Sequence, residues 1–530
     1  MTEAIRLIMS GAIVGQELAA EFGPLPPAFL PVGSKRLYEL QLAELNGAGP
    51  VWMVLPETFA VSEFDAERLT ELGAQVLAIP EGLRLGEAVV YALNALALGD
   101  QPLHILHGDT LITAPPVDGL DLIVGGDSGG DYSWAEIDVR EGRIAGLEVI
   151  AAGEDGHDRP IAAGYFAFSS SLELVRAITR ARGDFVAGVG AYAQAREMVL
   201  WPAREWLDFG HLQTFFRSRL AATTARAFNT LKMDGLTARK SSADAEKMRA
   251  EARWLRNAPS NVQIYCARMI ETGEADGRGF YLTEYEYLPV LSELFVHGAI
   301  GRSAWLRILE SCETFLSLCA GHEGEGFGDE ALNRLAVDKT FERLEMLGRA
   351  GFEVDREQTY EGRACPSLTR IAEILAADID LATGKPARLM HGDFCFSNIL
   401  YASRLRRIKV IDPRGSVDGQ PTLWGDPRYD LAKLAHSIIG RYDQIIAGRC
   451  RVSRSGDDHA IAFEPLAAQA WLEAALGELT IDGYGAASRQ VRAVMTGLFL
   501  SAPPLHADRP DRQQALIANA LRLFLDLDRA

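Results

Sequence analysis

The sequence predicts an α/β chain in two parts: a doubly wound α/β domain followed by a two-lobed α+β domain. Three observations predict it. The chain has 530 residues, too many for one ordinary core when domains run to roughly 100–200 residues. Over the first part, short apolar runs alternate with helical stretches, the pattern of a largely parallel sheet. Past residue 223 the order changes to a hairpin, a charged helix and two further strand-like runs, and then to long helical periodicity. The expected domains are 1–222 and 223–530, the second with a small lobe over 225–287 and a large one over 288–530.

In the first part, strands are expected at 4–9, 51–55, 75–78, 103–106 and 120–124, with helices at 35–45, 64–72 and 85–98. The stretch 132–139 alternates like an exposed strand, Glu141-Gly142 is a turn, and 144–150 returns as the second arm of a hairpin. A strand follows at 162–168, and a helix at 211–221. In the second part, a hairpin-like segment spans 229–240 around Asp234-Gly235. A helix at 242–256 and strands at 262–270 and 279–285 follow. After residue 288 the chain reads as mainly helical, broken by a strand–loop–strand at 389–411. The stretches 321–329 and 453–458 read as exposed loops.

Composition excludes several classes. The 48% hydrophobic and 24% charged shares are those of a globular protein. No apolar run reaches about 18 residues, so no membrane-spanning helix is expected. The apolar stretch 6–14 lacks a basic flank and reads as a buried first strand rather than a signal peptide. A net charge of −19 argues against nucleic-acid binding, which needs basic patches. The six cysteines, Cys266, Cys312, Cys319, Cys365, Cys395 and Cys450, all lie in the C-terminal half and form no CxxC pair. That fits reduced thiols in a cytoplasmic protein.

The strongest chemical signal is Met390-His391-Gly392-Asp393-Phe394-Cys395-Phe396-Ser397-Asn398-Ile399-Leu400. Beyond it comes Val410-Ile411-Asp412-Pro413-Arg414-Gly415. Phosphoryl transfer needs a carboxylate near the attacking hydroxyl, and an amide and a second carboxylate to hold Mg²⁺ on the phosphates. Asp393, Asn398 and Asp412 supply those three groups at workable spacing. The arrangement resembles the aminoglycoside phosphotransferase and choline kinase-like family, over residues 225–530. The resemblance implies a protein-kinase-like fold, with Asp393 as catalytic base and Asn398 and Asp412 as metal ligands. Lys240, at the end of Thr237-Ala-Arg-Lys, would bind ATP phosphates and pair with Glu251 of the following helix, or failing that Glu246. Arg239 should face the other way, because strand side chains alternate. The segment holding Glu284 and Glu286 would be the hinge that holds adenine. No clear Gly-rich loop is present. Asp426 and Asp430, in Gly-Asp-Pro-Arg-Tyr-Asp-Leu-Ala, are expected to support the catalytic loop.

In an open α/β sheet, ligands bind at the carboxyl ends of strands. Two features sit there: the loop after the first strand, and His107-Gly108-Asp109-Thr110. Four segments, Pro27 to Leu40, Leu106 to Thr110, Ala163 to Phe168 and Trp206-Leu-Asp-Phe-Gly210, resemble motifs of sugar-phosphate nucleotidyltransferases in their order. The resemblance covers 1–222. It implies Asp109 and Asp208 as ligands of Mg²⁺, which neutralises nucleotide phosphates during attack. Gly11 and Gly15 would let backbone N–H groups approach phosphate. The sequence departs from the family in the first loop: its arginine is absent, Pro27 stands at the lysine position, and Glu17 and Glu21 enter. Lys35 and Arg36 are candidate replacement cations.

The resemblances together imply a bifunctional kinase/nucleotidyltransferase of the capsule-biosynthesis type. It would use ATP, Mg²⁺, and CTP or another nucleoside triphosphate, on a small sugar, polyol or amino-alcohol. A choline kinase fused to a phosphocholine cytidylyltransferase is a close variant. A kinase with an inactive N-terminal binding module, and a non-enzymatic scaffold, are the competing readings.

Overall fold

A computed structural model describes residues 4–45, 49–127, 132–150, 159–224, 231–233 and 235–527. The chain forms two compact units, Met1–Ala225 with His297–Ala299, and Arg226–Val296 with Ile300–Ala530. Part of the expected boundary stretch 223–228, and Asn229, Thr230 and Asp234 of the expected hairpin, lie outside the described residues.

Among the described residues, the first unit is built on a nine-stranded sheet. Ile5–Met9 lies between Val51–Pro56 and Leu103–His107, parallel to both, and Ala74–Ile79 extends the parallel set. All five residues of Ile5–Met9 are buried, the signature of a strand covered on both faces. Side chains alternate across a strand, and the two cores show it. Leu7 and Met9 join Ile105, Phe166 and Val189 on one face, while Ile8 joins Phe29, Tyr38 and Met53 on the other. The strand expected at 120–124 is Leu122–Gly126, and it is not part of the parallel set. It pairs antiparallel with Ile161–Phe168, which also runs antiparallel to Leu103–His107. The expected hairpin is present as Trp134–Arg140 against Arg143–Ile150. A separate two-stranded pairing sets Asp208 opposite Thr110.

The second unit opens with four antiparallel strands in the order Leu231–Met233, Thr237–Ser242, Arg278–Glu284, Met269–Ala275. The helix Ala245–Asn257 packs against this sheet; Asp244 caps it by accepting from Lys247 N at 3.0 Å. The expected strand at 262–270 is mostly absent. Ser260–Gln263 is a short helix, and the strand begins at Met269. Beyond it lie long helices, among them Arg302–Ala320, Lys339–Arg349, Pro427–Ile438, Arg489–Ser501 and Pro510–Leu527.

This part is less purely helical than expected. Gln358–Tyr360, Arg363–Cys365, Asp458–Phe463 and Cys450–Ser455 form a four-stranded sheet. Glu323–Phe327 is a strand too, paired with Pro386–Leu389. Within the stretches 321–329 and 453–458, expected as loops, residues 323–327 and 453–455 are strand, while 456–457 form the turn. Their glycines and charged residues carry no apolar alternation, and backbone pairing, which sequence does not display, makes them strands.

Among the described residues no helix is long and apolar enough to cross a membrane. All six cysteines are unbridged, five of them buried. Burial pushes the thiols of Cys266 and Cys395 up to about 12.

Candidate functional site

In the second unit the strand Pro386–Leu389 delivers the chain to a buried turn. The turn is held from both sides. Asp430, on the helix Pro427–Ile438, accepts the N–H groups of His391 at 2.7 Å and Gly392 at 2.8 Å. Trp254, on the helix Ala245–Asn257, donates to Met390 O at 2.8 Å. Burial raises the Asp430 carboxyl to about 7. Asp426, by contrast, caps its helix through Arg428 N and pairs with the buried Arg428 side chain at 2.6 Å.

Asn398 follows in a single helical turn, and its Nδ2 donates to both Asp393 O and Asp393 Oδ2 at 2.9 Å. The hairpin Ile399–Ala402/Arg407–Val410 brings the chain back, and Ile411 N bonds Asn398 O. Asp412 comes next with φ +56°. A left-handed backbone is uncommon for a non-glycine residue and collects at functional sites. Gly415, also left-handed, has no room for a side chain: a Cβ there would lie 2.3 Å from Ala250 O.

The strand Thr237–Ser242 presents Lys240 to this site. Lys240 Nζ lies 2.8 Å from Glu251 Oε2 and 3.1 Å from Asp412 Oδ2. Tyr281, opposite Lys240 in the sheet, holds its hydroxyl 2.9 Å from an oxygen of each carboxylate and can donate to one of them at a time. Burial works against the Lys240 ammonium, but Asp412 and Glu251 outweigh it, so its pKa is raised. Burial likewise raises Glu251, with Lys240 opposing. Glu246 is exposed and pairs with Arg249 instead. Arg239 turns the other way and lies over the Phe280 ring at 3.9 Å. Glu284 is exposed and paired with Arg268, its N–H spent on Arg268 O. Glu286 pairs with Lys409 at 3.0 Å.

Asp393 has a partner that sequence reasoning did not single out. Lys433 Nζ lies 2.8 Å from Asp393 Oδ1. It stands one helical turn beyond Asp430, on the same face. Burial pushes the Asp393 carboxyl up, but Lys433 and Arg414 hold it well below the usual carboxylate range.

The oxygen set of Asp412 and Asn398 suits a hard divalent cation. The Asn398 amide nitrogen is taken by Asp393, and its amide oxygen has no partner among the described residues. Among those residues no three His, Cys, Asp or Glu are grouped as a metal cage. Mg²⁺ typically keeps water and phosphate oxygens beside one or two carboxylates, so this set fits it.

In the first unit a cavity of about 420 Å³ opens at the carboxyl end of Leu103–His107. Asp109, Asp208, His107 and His211 line it, with Trp134, Trp206, Gly164 and Arg84. Pairing of Trp206–Asp208 with Thr110–Ile112 brings the two aspartates together. They meet across Gly210, where a Cβ would lie 2.5 Å from Asp109 Oδ2 and 3.2 Å from Asp208 Oδ1. That open cradle between two carboxylates fits a cation. Asp208 also accepts from Gly210 N and Thr214 Oγ1, and contacts His211 Nδ1 at 3.0 Å. Burial raises Asp109, with Asp208 adding to the effect; burial lowers His107 despite both aspartates. His211 is raised by its bond to Asp208, with a smaller contribution from Glu17. Tyr132 stacks on His211 at 3.9 Å.

Arg36 does not serve as a replacement cation. It is buried, paired with Asp65 at 3.0 Å and bonded to Phe29 O at 2.9 Å. Lys35 is exposed and does not line the cavity. Arg84, which the sequence reading passed over, does line it. Gly15 opens the helix Gln16–Phe22, and Gly11 packs against Ile79; neither lines the cavity.

No curated protein matches the chain. Among solved structures, a nucleoside-diphosphate-sugar pyrophosphorylase from Vibrio cholerae is 14% identical, with 41% of this chain and 99% of that one covered, at a TM-score of 0.32. An aminoglycoside-3'-phosphotransferase of type VIII is 16% identical, with 57% and 97% covered, at 0.29. An aminoglycoside phosphotransferase from Streptomyces rimosus, in complex with ADP and streptomycin, is 15% identical, with 51% and 87% covered, at 0.30. The sequence profile of the phosphotransferase enzyme family matches residues 235–463, a span that holds Lys240, Glu251, Asp393, Asn398, Asp412 and Lys433. The second unit therefore carries a phosphotransferase enzyme family domain.

Proposed function

We propose that the chain is a bifunctional enzyme. Its second domain, 223–530, transfers the γ-phosphoryl group of ATP to a hydroxyl of a small sugar, polyol or amino-alcohol. Its first domain, 1–222, transfers a nucleotidyl group from CTP or another nucleoside triphosphate to the resulting phosphate. The product is an activated building block of the kind used for surface polysaccharide. The observation that carries the kinase reading is the convergence of Asp393, Asn398, Asp412 and Lys240 in one site, with Glu251 completing it.

Asp393 positions the acceptor hydroxyl and takes its proton as the new O–P bond forms and the bond to the ADP oxygen breaks. With its pKa held low by Lys433 and Arg414, Asp393 is a weak base. A loose phosphoryl-transfer transition state asks little of a base and much of positioning and charge. Asn398 and Asp412 would hold Mg²⁺, which neutralises charge on the phosphates. Lys240, fixed by Glu251, would meet the phosphates. In the first domain Asp109 and Asp208 would hold the second Mg²⁺.

Purified protein with ATP, Mg²⁺ and a panel of sugars, polyols, choline and ethanolamine tests the kinase. One acceptor should gain a phosphate by mass, and Asp393→Asn should abolish the gain. Equal ATP turnover by both proteins across the panel would sink the reading. The second reading keeps the first domain as a binding module without turnover. Glu17 beside His211 and the loss of Arg36 to Asp65 favour it. Pyrophosphate release from a nucleoside triphosphate and the phosphorylated acceptor would exclude it.

A further inference from the structure

Two cations stand beside Asp393. Lys433 is its direct partner. Arg414 lies close enough to lower the Asp393 pKa. Among the described residues Arg414 itself is bonded only to neutral oxygens, donating to Gly392 O at 2.9 Å and Tyr429 Oη at 3.3 Å. Among the described residues Arg343, on Lys339–Arg349, donates only to Ser501 O and Oγ, at 3.5 and 3.3 Å. Lys339, at the start of that helix, has neither an ion pair nor a hydrogen bond from its ammonium among the described residues.

Lys339, Arg343 and Arg414 feel one another. Burial first, then Arg414 and Arg343, lower Lys339 to about 8; burial and Arg414 lower Arg343. The nearby anions are otherwise engaged. Asp418 and Glu342 pair with Arg334 at 2.8 and 2.7 Å. Asp430 is bonded to the catalytic turn. In a chain of net charge −19, Lys339 and Arg343 are half-buried cations with no carboxylate within ion-pair distance among the described residues, which costs free energy, while Arg414 is offset in part by Asp393 and Asp430. A ligand anion would relieve that cost through charge-assisted hydrogen bonds.

On the kinase reading above, we propose that the acceptor carries an anionic group, carboxylate or phosphate, near its reactive hydroxyl, and that Lys339, Arg343 and Arg414 bind it. The acceptor class is then a sugar acid or a sugar phosphate, not a neutral polyol and not a cationic amino-alcohol. Asp393 alone would repel such a molecule, and the cation cluster offsets that repulsion.

The test uses the full chain and needs no turnover. Lys339 is labelled at pH 8 with a small amine reagent and read by mass spectrometry. Labelling proceeds without ligand, with gluconate, with glucose 6-phosphate, with glucose, and with ATP and Mg²⁺. Protection by gluconate alone assigns a carboxylate, and protection by glucose 6-phosphate alone a phosphate; protection by both supports the shared anion site. Protection by glucose equal to that by the anions, by ATP only, or by nothing overturns the proposal. Calorimetric titration of ATP reports separately on the kinase reading, which fails if ATP does not bind, whatever Lys339 shows. Where an acceptor turns over, Lys339→Met and Arg343→Met should raise its KM by about tenfold or more, the loss of a charge-assisted hydrogen bond. An unchanged KM in both variants overturns the assignment.

Discussion

The two candidate sites solve one electrostatic problem in different ways. Each gathers carboxylates where, on the proposed function, a nucleotide's phosphates would lie. In the second unit, Asp393 and Asp412 each have a lysine within ion-pair distance, Lys433 and Lys240. In the first unit, Asp109 and Asp208 face each other with histidines at their sides, and burial keeps Asp109 raised and His107 lowered. The first arrangement is compensated before any ligand arrives. In the second, on the function proposed above, a bound cation would supply the compensation. Charge compensation from the protein itself implies a site that is formed in the free enzyme, whereas on the proposed function the pair across Gly210 would gain stability from the cation it binds.

The comparison can be broken most forcefully at Asp393. Asp393→Asn should lower phosphoryl transfer by about 10²–10⁴-fold, measured as acceptor-dependent ADP formation, and leave pyrophosphate release from the first unit unchanged. Asp208→Asn should do the converse. It should also weaken Mn²⁺ binding to the full chain, read by electron paramagnetic resonance at sub-stoichiometric metal; wild-type Mn²⁺ binding in that variant would refute the cation cradle.

A smaller effect is expected at Gly415. Its Cβ would meet the backbone of Ala250, and overpacking of this kind costs about 1–3 kcal/mol. Gly415→Ala should therefore lower the denaturation midpoint of the second unit and leave that of the first unmoved.

An effect of similar or lesser size is one of pH. His104 is buried, its Nδ1 2.8 Å from Tyr165 Oη, and burial with Arg6 lowers its pKa to about 4. The folded state refuses a proton that the unfolded state accepts below about 6.5. This part of the stability is present above pH 6.5 and is lost as pH falls toward 4, by at most about 3 kcal/mol. His104→Gln should flatten the fall in unfolding free energy across that window. An unaltered slope would place the pH dependence elsewhere.

Much of this was legible in the sequence because the chemistry is local. Asp393, Asn398 and Asp412 fall within one short stretch, and the strand–helix order picks out Lys240 and Glu251. The parallel strands of the first unit announce themselves as apolar runs. What escaped reading depends on long-range neighbours. Arg36 looked available because Asp65, its partner, lies far along the chain. Arg84 reaches the cavity from a helix start that carries no motif. Lys433 had a local signal, one turn after Asp430, but its target lies on another element. The strands at 323–327 and 450–455 were missed because polar pairing leaves no hydrophobic rhythm.

The thiols give the two units different visibility. All six cysteines sit in the C-terminal half, unbridged, and burial raises every one of their pKa values. A thiol reagent reacts with thiolate, so closed structure should leave these sulfurs nearly silent. The molecule thus contains its own opening clock. The rate at which sulfur becomes reactive times the unfolding of one unit, while the other, which has no cysteine, contributes no signal.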